Sequence, residues 1–496
     1  MEGAKKIRSA LLSVHDKEGI VSLAQTLYKA GVSLFATGGT YARLIQEKLP
    51  VKDLESLTGY PPLFGGRVKT LHPKIFGGIL YRRGNPEDEK ELKKHEISSF
   101  DLVVVNLYPF QEAAQTEGID EEELCEYIDI GGSALLRAAA KNYMDLCVLS
   151  SPHQYAAFSQ LFDEQGGRVS QTQRRSYAVS AFTLTSSYDE SIVQGLSPSV
   201  SLRYGENPHQ RASFYGDLSS LLELHQGSPL SYNNLLDIEA GIELLSEWRE
   251  EDPTVVIIKH NNPCGIAQGG SFREAFQKAY ACDSLSAFGG IIMYNGMLSR
   301  EEIGVLDGLF YEGLVAPSFT PESLSYLKGK NRRIIQKHRN PTRKIKRRTI
   351  LDGKLEQGID FPTRSFEDME LVCGSPTQKI SEDLYFAYKI VKHVRSNGIV
   401  LVRGGDFLSA GMGHTSRIEA LEFAIQKAEK NSSDLRGSVM ASDGFFPFSD
   451  CIERAHEVGI TAVIQPGGSK NDKLSIQACR RYGMSMVFSH RRHFKH

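Results

Sequence analysis

Along the first third of the chain, short apolar runs alternate with stretches whose apolar residues recur every three or four positions. Ser9–Val14 is a run that fits a buried strand. Asp16-Lys17-Glu18 then predicts a helix start, and Ile20, Leu23, Ala24 and Leu27 keep helical spacing. A second strand is expected at Val32–Ala36, running into Thr37-Gly38-Gly39-Thr40 and a helix over Tyr41–Glu47. Further strands fit Leu102–Val105 and Leu146–Leu149. Strands alternating with helices predict an α/β fold with a doubly wound parallel sheet.

The pattern breaks near residues 190–200. Gln194-Gly195-Leu196-Ser197-Pro198-Ser199 is rich in turn formers and predicts a linker, dividing the chain into domains 1–195 and 196–496. Beyond it come the expected strands Val255–Ile258, Ile291–Met293, Ile399–Val402 and Ala462–Ile464. A stretch of this length exceeds one ordinary core, so two subdomains are expected. No short internal repeat is legible.

Composition narrows the class. With 41% hydrophobic and 24% charged residues, the chain fits a soluble globular protein. A net charge of −2 gives no long-range attraction to nucleic acid or an anionic membrane. The seven cysteines are widely spaced and lack a C-x-x-C pair, so neither a disulfide framework nor a zinc knuckle is expected. No apolar run reaches the ~18 residues of a membrane span, and a cytoplasmic setting is expected. The basic stretch Lys328–Arg348 lacks interleaved aromatics and reads as a solvated surface segment rather than a nucleic-acid patch.

Several clusters carry candidate chemistry. Thr37-Gly38-Gly39-Thr40, between a strand and a helix, fits an anion site or an N-capped tight turn. Gly65-Gly66-Arg67-Val68-Lys69-Thr70-Leu71-His72-Pro73 concentrates glycines, cations, a hydroxyl and an imidazole, which fits a phosphate or oxyanion site. Asn106 and Tyr108 follow a buried strand, where ligands bind in parallel sheets. Asp129-Ile130-Gly131-Gly132 leads into a helix carrying Arg137 and Lys141; Asp129 is either an acid–base group or a helix cap. In the second region, Arg203-Tyr204 opens a polar turn. Lys259-His260-Asn261-Asn262-Pro263-Cys264-Gly265 ends an apolar strand and suits proton transfer. Pro263-Cys264 has no second cysteine three positions later and no H-x-E precedes it, so no catalytic metal is expected. Asp283–Gly290, Arg395-Ser396-Asn397 and Ser442–Phe448 are further candidates. Pro466-Gly467-Gly468-Ser469 has the look of an oxyanion turn.

Taken in order, SVHDK, TGGT, GGRVKTLHP, NLYPF, DIGG with RAAAKN, RYGENPHQ, KHNNPCG, SAFGG, SDGFFPF, QPGGS and the final histidine resemble a family that fuses phosphoribosylaminoimidazolecarboxamide (AICAR) formyltransferase to IMP cyclohydrolase. The resemblance spans nearly the whole chain. It implies an N-terminal methylglyoxal-synthase-like domain and C-terminal tandem cytidine-deaminase-like α/β subdomains without zinc. It implies 10-formyltetrahydrofolate as co-substrate, AICAR and FAICAR as nucleotides, and a homodimer with formyltransferase sites at the interface.

Residue by residue, the resemblance places cyclohydrolase catalysis on Lys69, Tyr108, Asp129 and Lys141. Nucleotide contacts fall on Ser13, Lys17, the Thr37-Gly38-Gly39-Thr40 turn, Arg67, Thr70 and Asn106. Formyl transfer falls on Lys259, His260 and Asn397. Arg203, Tyr204, Phe288, Gly289, Glu312, Phe445, Asp450, Arg492 and His496 line the nucleotide and folate sites. The chain departs from the family pattern at His15, Leu184 and His414, and residues 328–377 match poorly. A single-activity enzyme that keeps its other half as scaffold is the alternative; an RNA-binding role for the basic stretch is a third reading.

Overall fold

The computed structural model describes residues 3–116, 118–351, 353–360 and 365–496. The chain forms two compact units that part between Ser197 and Pro198. The expected linker is helical up to Leu196, the last residue of the helix Gln171–Leu196. Gly195 serves packing there: a Cβ would lie 2.8 Å from the Phe110 ring.

The N-terminal unit is built on a five-stranded parallel sheet. Its strand order is Val51–Asp53, Ser33–Ala36, Ser9–Val14, Leu102–Asn106 and Cys147–Leu149. Successive side chains leave opposite faces of a strand. Thus Ala10, Leu12, Leu34, Ala36, Leu102 and Val104 enter one core, shared with the helices Ile20–Lys29 and Tyr155–Glu164. Leu11, Phe35, Val103, Val105 and Val148 enter the other, shared with Ile130–Lys141 and Gln171–Leu196. Both faces are covered, as a doubly wound sheet requires. The helix expected over Tyr41–Glu47 starts earlier, at Gly38, so the two glycines form its first turn.

The C-terminal unit carries a twelve-stranded mixed sheet with an internal repeat that no sequence period reveals. In the first half, a strand (Leu222–Gln226) and a helix (Tyr232–Leu245) precede a hairpin of Thr254–Lys259 and Asn262–Gln268. The helix Phe272–Cys282 and the strands Ile291–Tyr294, Gly313–Ala316 and Arg333–Lys337 follow. The second half repeats this with Glu370–Cys373, Gln378–Val391, the hairpin Ile399–Arg403/Asp406–Gly411, the helix Arg417–Lys430, and the strands Val439–Ser442, Ala462–Gln465 and Ser485–Phe488. Strand order and direction match in the two halves. They join through the two hairpins, at the Ala267–Asp406 pair. The basic stretch is not solvated throughout: Arg333–Lys337 is a strand of the twelve-stranded sheet with Ile334 and Ile335 buried, while residues 345–348 begin the strand Ile345–Ile350 of an exposed hairpin with Gly353–Gly358.

The hairpins pack tightly on the helices that follow them. A Cβ on Gly265 would come within 2.0 Å of the Ala279 carbonyl oxygen, and one on Gly411 within 1.9 Å of that of Ala420. Gly265→Ala must push strand and helix apart, so a loss of about 3 kcal/mol is expected. Chemical denaturation of the full chain checks it, as a lowered midpoint for the C-terminal unit.

Candidate active sites

A cavity of about 590 Å³ opens at the C-terminal ends of the N-terminal unit's strands. It lies where strand order reverses, between Ser9–Val14 and Leu102–Asn106, the position at which open parallel sheets bind ligands. Ser13, Lys17, Thr37, Gly39, Thr40, Arg67, Lys69, Thr70, Asn106, Tyr108 and Asp129 all line it, drawn together from segments far apart in sequence. Gly38 opens the adjoining helix.

One wall is a helix N-terminus braced by hydroxyls. Ser13 Oγ and Thr37 Oγ1 are 2.9 Å apart, and buried Thr40 accepts from Val14 N and donates to Val14 O, each at 3.1 Å. Thr37 makes no side-chain cap bond, which leaves the Gly38 and Gly39 N–H groups to a ligand. Asn106 fixes the neighbouring loop by accepting from His15 N at 2.6 Å and Asp16 N at 2.9 Å. Lys17 Nζ donates to His15 O at 2.9 Å; burial first, then the Lys69 charge, pull its ammonium below the usual lysine range.

The opposite wall carries the titratable groups. Lys69 Nζ donates to Tyr108 Oη at 3.4 Å, and the His15 ring meets Tyr108 edge-on at 5.1 Å. Asp129 caps the helix Ile130–Lys141 by accepting from Gly132 N at 2.6 Å, and its own N–H donates to Tyr188 Oη at 2.9 Å. Burial pushes its carboxyl above the ordinary range, against the Gly132 bond and the Lys69 and His15 charges. Glycine is required behind it, since a Cβ on Gly132 would lie 2.4 Å from Asp129 Oδ2. Arg67 is exposed and paired with Glu126. Lys141 is not among the lining residues: it ends the helix that Asp129 begins, about 18 Å away along the axis.

The C-terminal unit gathers its predicted residues into two clusters. In the first, Lys259 and Asn262 close a two-residue turn whose central residues, His260 and Asn261, have φ of 51° and 62°. Lys259 Nζ donates to Phe288 O at 2.8 Å, and Gly289 leaves it room. Exposed Phe288 stacks at a tilt on Phe310, with centroids 5.0 Å apart. Glu312 accepts from Arg333 at 3.0 Å and Asn234 at 2.9 Å. Arg203 is exposed, its guanidinium 5.4 Å from the Tyr204 ring centroid.

In the second cluster, Asn397 Nδ2 donates to His414 O at 3.0 Å, and Asn397 Oδ1 accepts from Arg417 Nη1 at 2.7 Å. The contact to residue 414 uses its backbone, so the departure at His414 leaves it intact. Arg417, which the sequence reading missed, also pairs with buried Asp443 at 3.0 Å and donates to Phe445 O at 2.7 Å. Burial raises the Asp443 carboxyl and lowers the Arg417 guanidinium. Backbone bonds Ser396 N to Lys495 O and His493 N to Asp443 O pin the C-terminal tail here. The tail brings Arg492, 4.3 Å from the Phe494 ring, and His496. Of the three phenylalanines in Ser442–Phe448, Phe446 is core, and Phe445 and Phe448 are exposed. Asp450 opens the helix Asp450–Glu457. The Gly467-Gly468 turn is no oxyanion site: its N–H groups donate to Gln465 Oε1 at 3.0 Å and Asp472 Oδ2 at 2.7 Å.

Hairpin registers place both clusters at one end of the sheet, on either side of the hairpin junction. Three strand spacings, roughly 14 Å or more, separate them. Among the described residues no group of three His, Cys, Asp or Glu side chains is placed to hold a metal ion, and no helix is long and apolar enough to cross a membrane.

Comparison with known proteins agrees with this geometry. The model of the AICARFT/IMPCHase bienzyme family matches residues 139–427, and that of the MGS-like domain matches residues 19–134. Proteins named bifunctional purine biosynthesis protein PurH are similar over their full lengths. That of Bacteroides thetaiotaomicron is 44% identical, covering 100% of both chains. That of Rhodopirellula baltica is 42% identical, also over 100% of both. That of Acetivibrio thermocellus is 40% identical over 99% of this chain and 100% of its own.

The environment of Asp129 generates a test that separates cap from charge. Asparagine keeps a capping oxygen, so Asp129→Asn should unfold at the wild-type midpoint or above at neutral pH, whereas Asp129→Ala should lose about 1 kcal/mol. Because the folded-state value is raised, the burial penalty is relieved as pH falls through it, and stability from this group declines as pH rises. Asp129→Asn should flatten that part of the stability–pH curve in denaturant titrations.

Proposed function

The chain belongs to the AICARFT/IMPCHase bienzyme family, and from that premise we propose that it carries out both reactions: transfer of a formyl group from 10-formyltetrahydrofolate to AICAR, then dehydrative closure of FAICAR to IMP. The observation that carries the reading is the cavity in which a helix N-terminus and Lys69, Tyr108 and Asp129 face one ligand volume. We assign the cyclohydrolase to the N-terminal unit and the formyltransferase to the C-terminal one.

For ring closure, the helix at Gly38 with Ser13, Thr37, Thr40 and Lys17 holds the nucleotide phosphate, and Arg67 and Thr70 close over it. The carboxamide nitrogen attacks the formamide carbon within one molecule, so holding the two in contact removes most of the entropic barrier. Lys69 stabilises the developing oxyanion. Asp129, made more basic by burial, takes the proton from nitrogen. Tyr108 delivers one to the oxyanion, giving a carbinolamine; Asp129 then passes its proton to the hydroxyl, which leaves as water while the Tyr108 phenolate takes the second nitrogen-bound proton and the C=N bond forms. Lys141 receives no role.

For formyl transfer, the amine attacks the formyl carbon. His260 accepts its proton, Lys259 protonates the departing folate nitrogen, and Asn397 holds the formyl oxygen through its second amide hydrogen. Arg203, Tyr204, Arg492 and His496 bind the nucleotide; Gly289, Glu312, Asp450 and the exposed faces of Phe288 and Phe445 line the pocket. The separation of the Lys259 and Asn397 clusters, each with exposed aromatics, supports a homodimer in which each site draws one cluster from either subunit.

With AICAR and 10-formyltetrahydrofolate supplied, the wild type should form IMP in an absorbance assay. Lys259→Ala should release no tetrahydrofolate, and Lys69→Ala should accumulate FAICAR; a wild type that releases no tetrahydrofolate sinks the formyltransferase assignment. Mixing Lys259→Ala with Asn397→Ala subunits should restore formyl transfer, because one site per mixed dimer keeps both clusters. Failure of complementation would place the whole site within one chain.

A further inference from the structure

We propose that Asp237 is a positioning residue for formyl transfer: from the helix Tyr232–Leu245 it holds the His260-Asn261 turn in the shape that presents Lys259 and His260 together. The inference rests on the assignment of Lys259 and His260 as the transferring pair.

His260 and Asn261 are non-glycine residues in the left-handed region, with φ of 51° and 62°. That conformation is unfavourable for L-residues and persists only where neighbours impose it, commonly at functional sites. Asp237 imposes it here, accepting from Asn261 N at 2.6 Å. Asn262 Nδ2 closes the turn from the other side, donating to His260 O at 2.8 Å. Burial pushes the Asp237 carboxyl above the ordinary range, with Glu312 adding to the shift, and the Asn261 N–H bond and the His260 and Lys259 charges oppose it; Glu312 is itself held by Arg333 and Asn234.

The internal repeat supplies an independent instance of the same device. Asp237 is the sixth residue of its helix, and Asp383 is the sixth residue of the matching helix Gln378–Val391. Asp383 accepts from both residues of the equivalent turn, Gly404 N at 2.7 Å and Gly405 N at 2.6 Å. Glycines adopt this turn without strain, with φ of 63° and 79°. Where the fold alone is served, the turn is Gly-Gly. Where side chains must be presented, it carries His-Asn at a conformational cost, and the aspartate holds it.

The matched pair makes the test internal to the molecule. In the full chain, Asp237→Ala, Asp237→Asn, Asp383→Ala and His260→Ala are compared by kcat, by KM for AICAR and for 10-formyltetrahydrofolate, and by melting temperature. Asp237→Ala should lower formyl-transfer kcat about a hundredfold, the scale of a small misplacement of reacting groups, with each KM within about twofold. Asp237→Asn, which keeps an acceptor for Asn261 N–H, should recover most of kcat. Asp383→Ala should lower the melting temperature at least as far while kcat stays at wild type. The proposal is overturned if Asp237→Ala and Asp383→Ala lose activity in step with stability, or if Asp237→Ala keeps wild-type kcat while His260→Ala loses it. Full transfer by His260→Ala would instead overturn the assignment beneath it.

Discussion

Both faces of the five-stranded and twelve-stranded sheets are buried, and this constraint governs where chemistry can sit. A strand covered on two sides cannot carry an unpaired polar side chain along its length without a large desolvation cost. In Ser9–Val14 and Leu102–Asn106 the apolar positions supply one core and then the other until the strand ends. The polar groups of the cavity therefore sit at the C-terminal ends: Ser13 within the last two residues of one strand with Lys17 beyond it, Thr37 after the next, and Asn106 as the last residue of a third with Tyr108 beyond it. Adjacent strand ends converge, so one fold rule assembles the cavity.

The C-terminal unit meets the same constraint twice. On one face of its sheet a continuous apolar layer runs under both helices Tyr232–Leu245 and Gln378–Val391, taking Ile258 and Met293 from one half and Val400 and Ile464 from the other. On the opposite face each half keeps its own core, around Phe272 and Phe276 in one and Leu421 and Ile425 in the other. The halves thus share one apolar core on one side and keep separate cores on the other, where the Lys427–Asp283 pair at 2.8 Å and the Asn431 Nδ2 bond to Cys282 O at 2.6 Å still bridge them. That arrangement lets their turns diverge in chemistry while the framework stays the same.

What could be read from sequence followed from what is local. The strands were legible because burial on both faces makes them continuous apolar runs, and the clusters at their ends because several polar groups crowd into few residues. Other features were not legible. Gly195 has the composition of a turn, yet it lets a helix approach Phe110. Lys141 falls in a matching motif, yet a straight helix carries it away from Asp129. The repeat leaves no sequence trace, because apolar layers tolerate exchange among Ile, Val, Leu and Met, and the turns, His-Asn and Gly-Gly, share no side chain. Arg417 and Asp237 act through partners distant in sequence, so their own neighbourhoods gave no signal.

A chain of near-zero net charge that handles phosphorylated substrates must confine positive potential to its sites, and burial sorts its cations into two kinds. Arg67 and Glu126 are both exposed at the cavity mouth. Such a pair is screened by water and easily exchanged, so a phosphate can displace the carboxylate at little cost. Arg417 and Asp443 are enclosed, and Arg417 is held further by Asn397 and the Phe445 carbonyl. Removing one partner there would strand a buried charge, so this arginine is fixed in place. The exposed pair is suited to exchange its partner for a ligand; the enclosed one is suited to hold Asn397 and the Phe445 loop rigid.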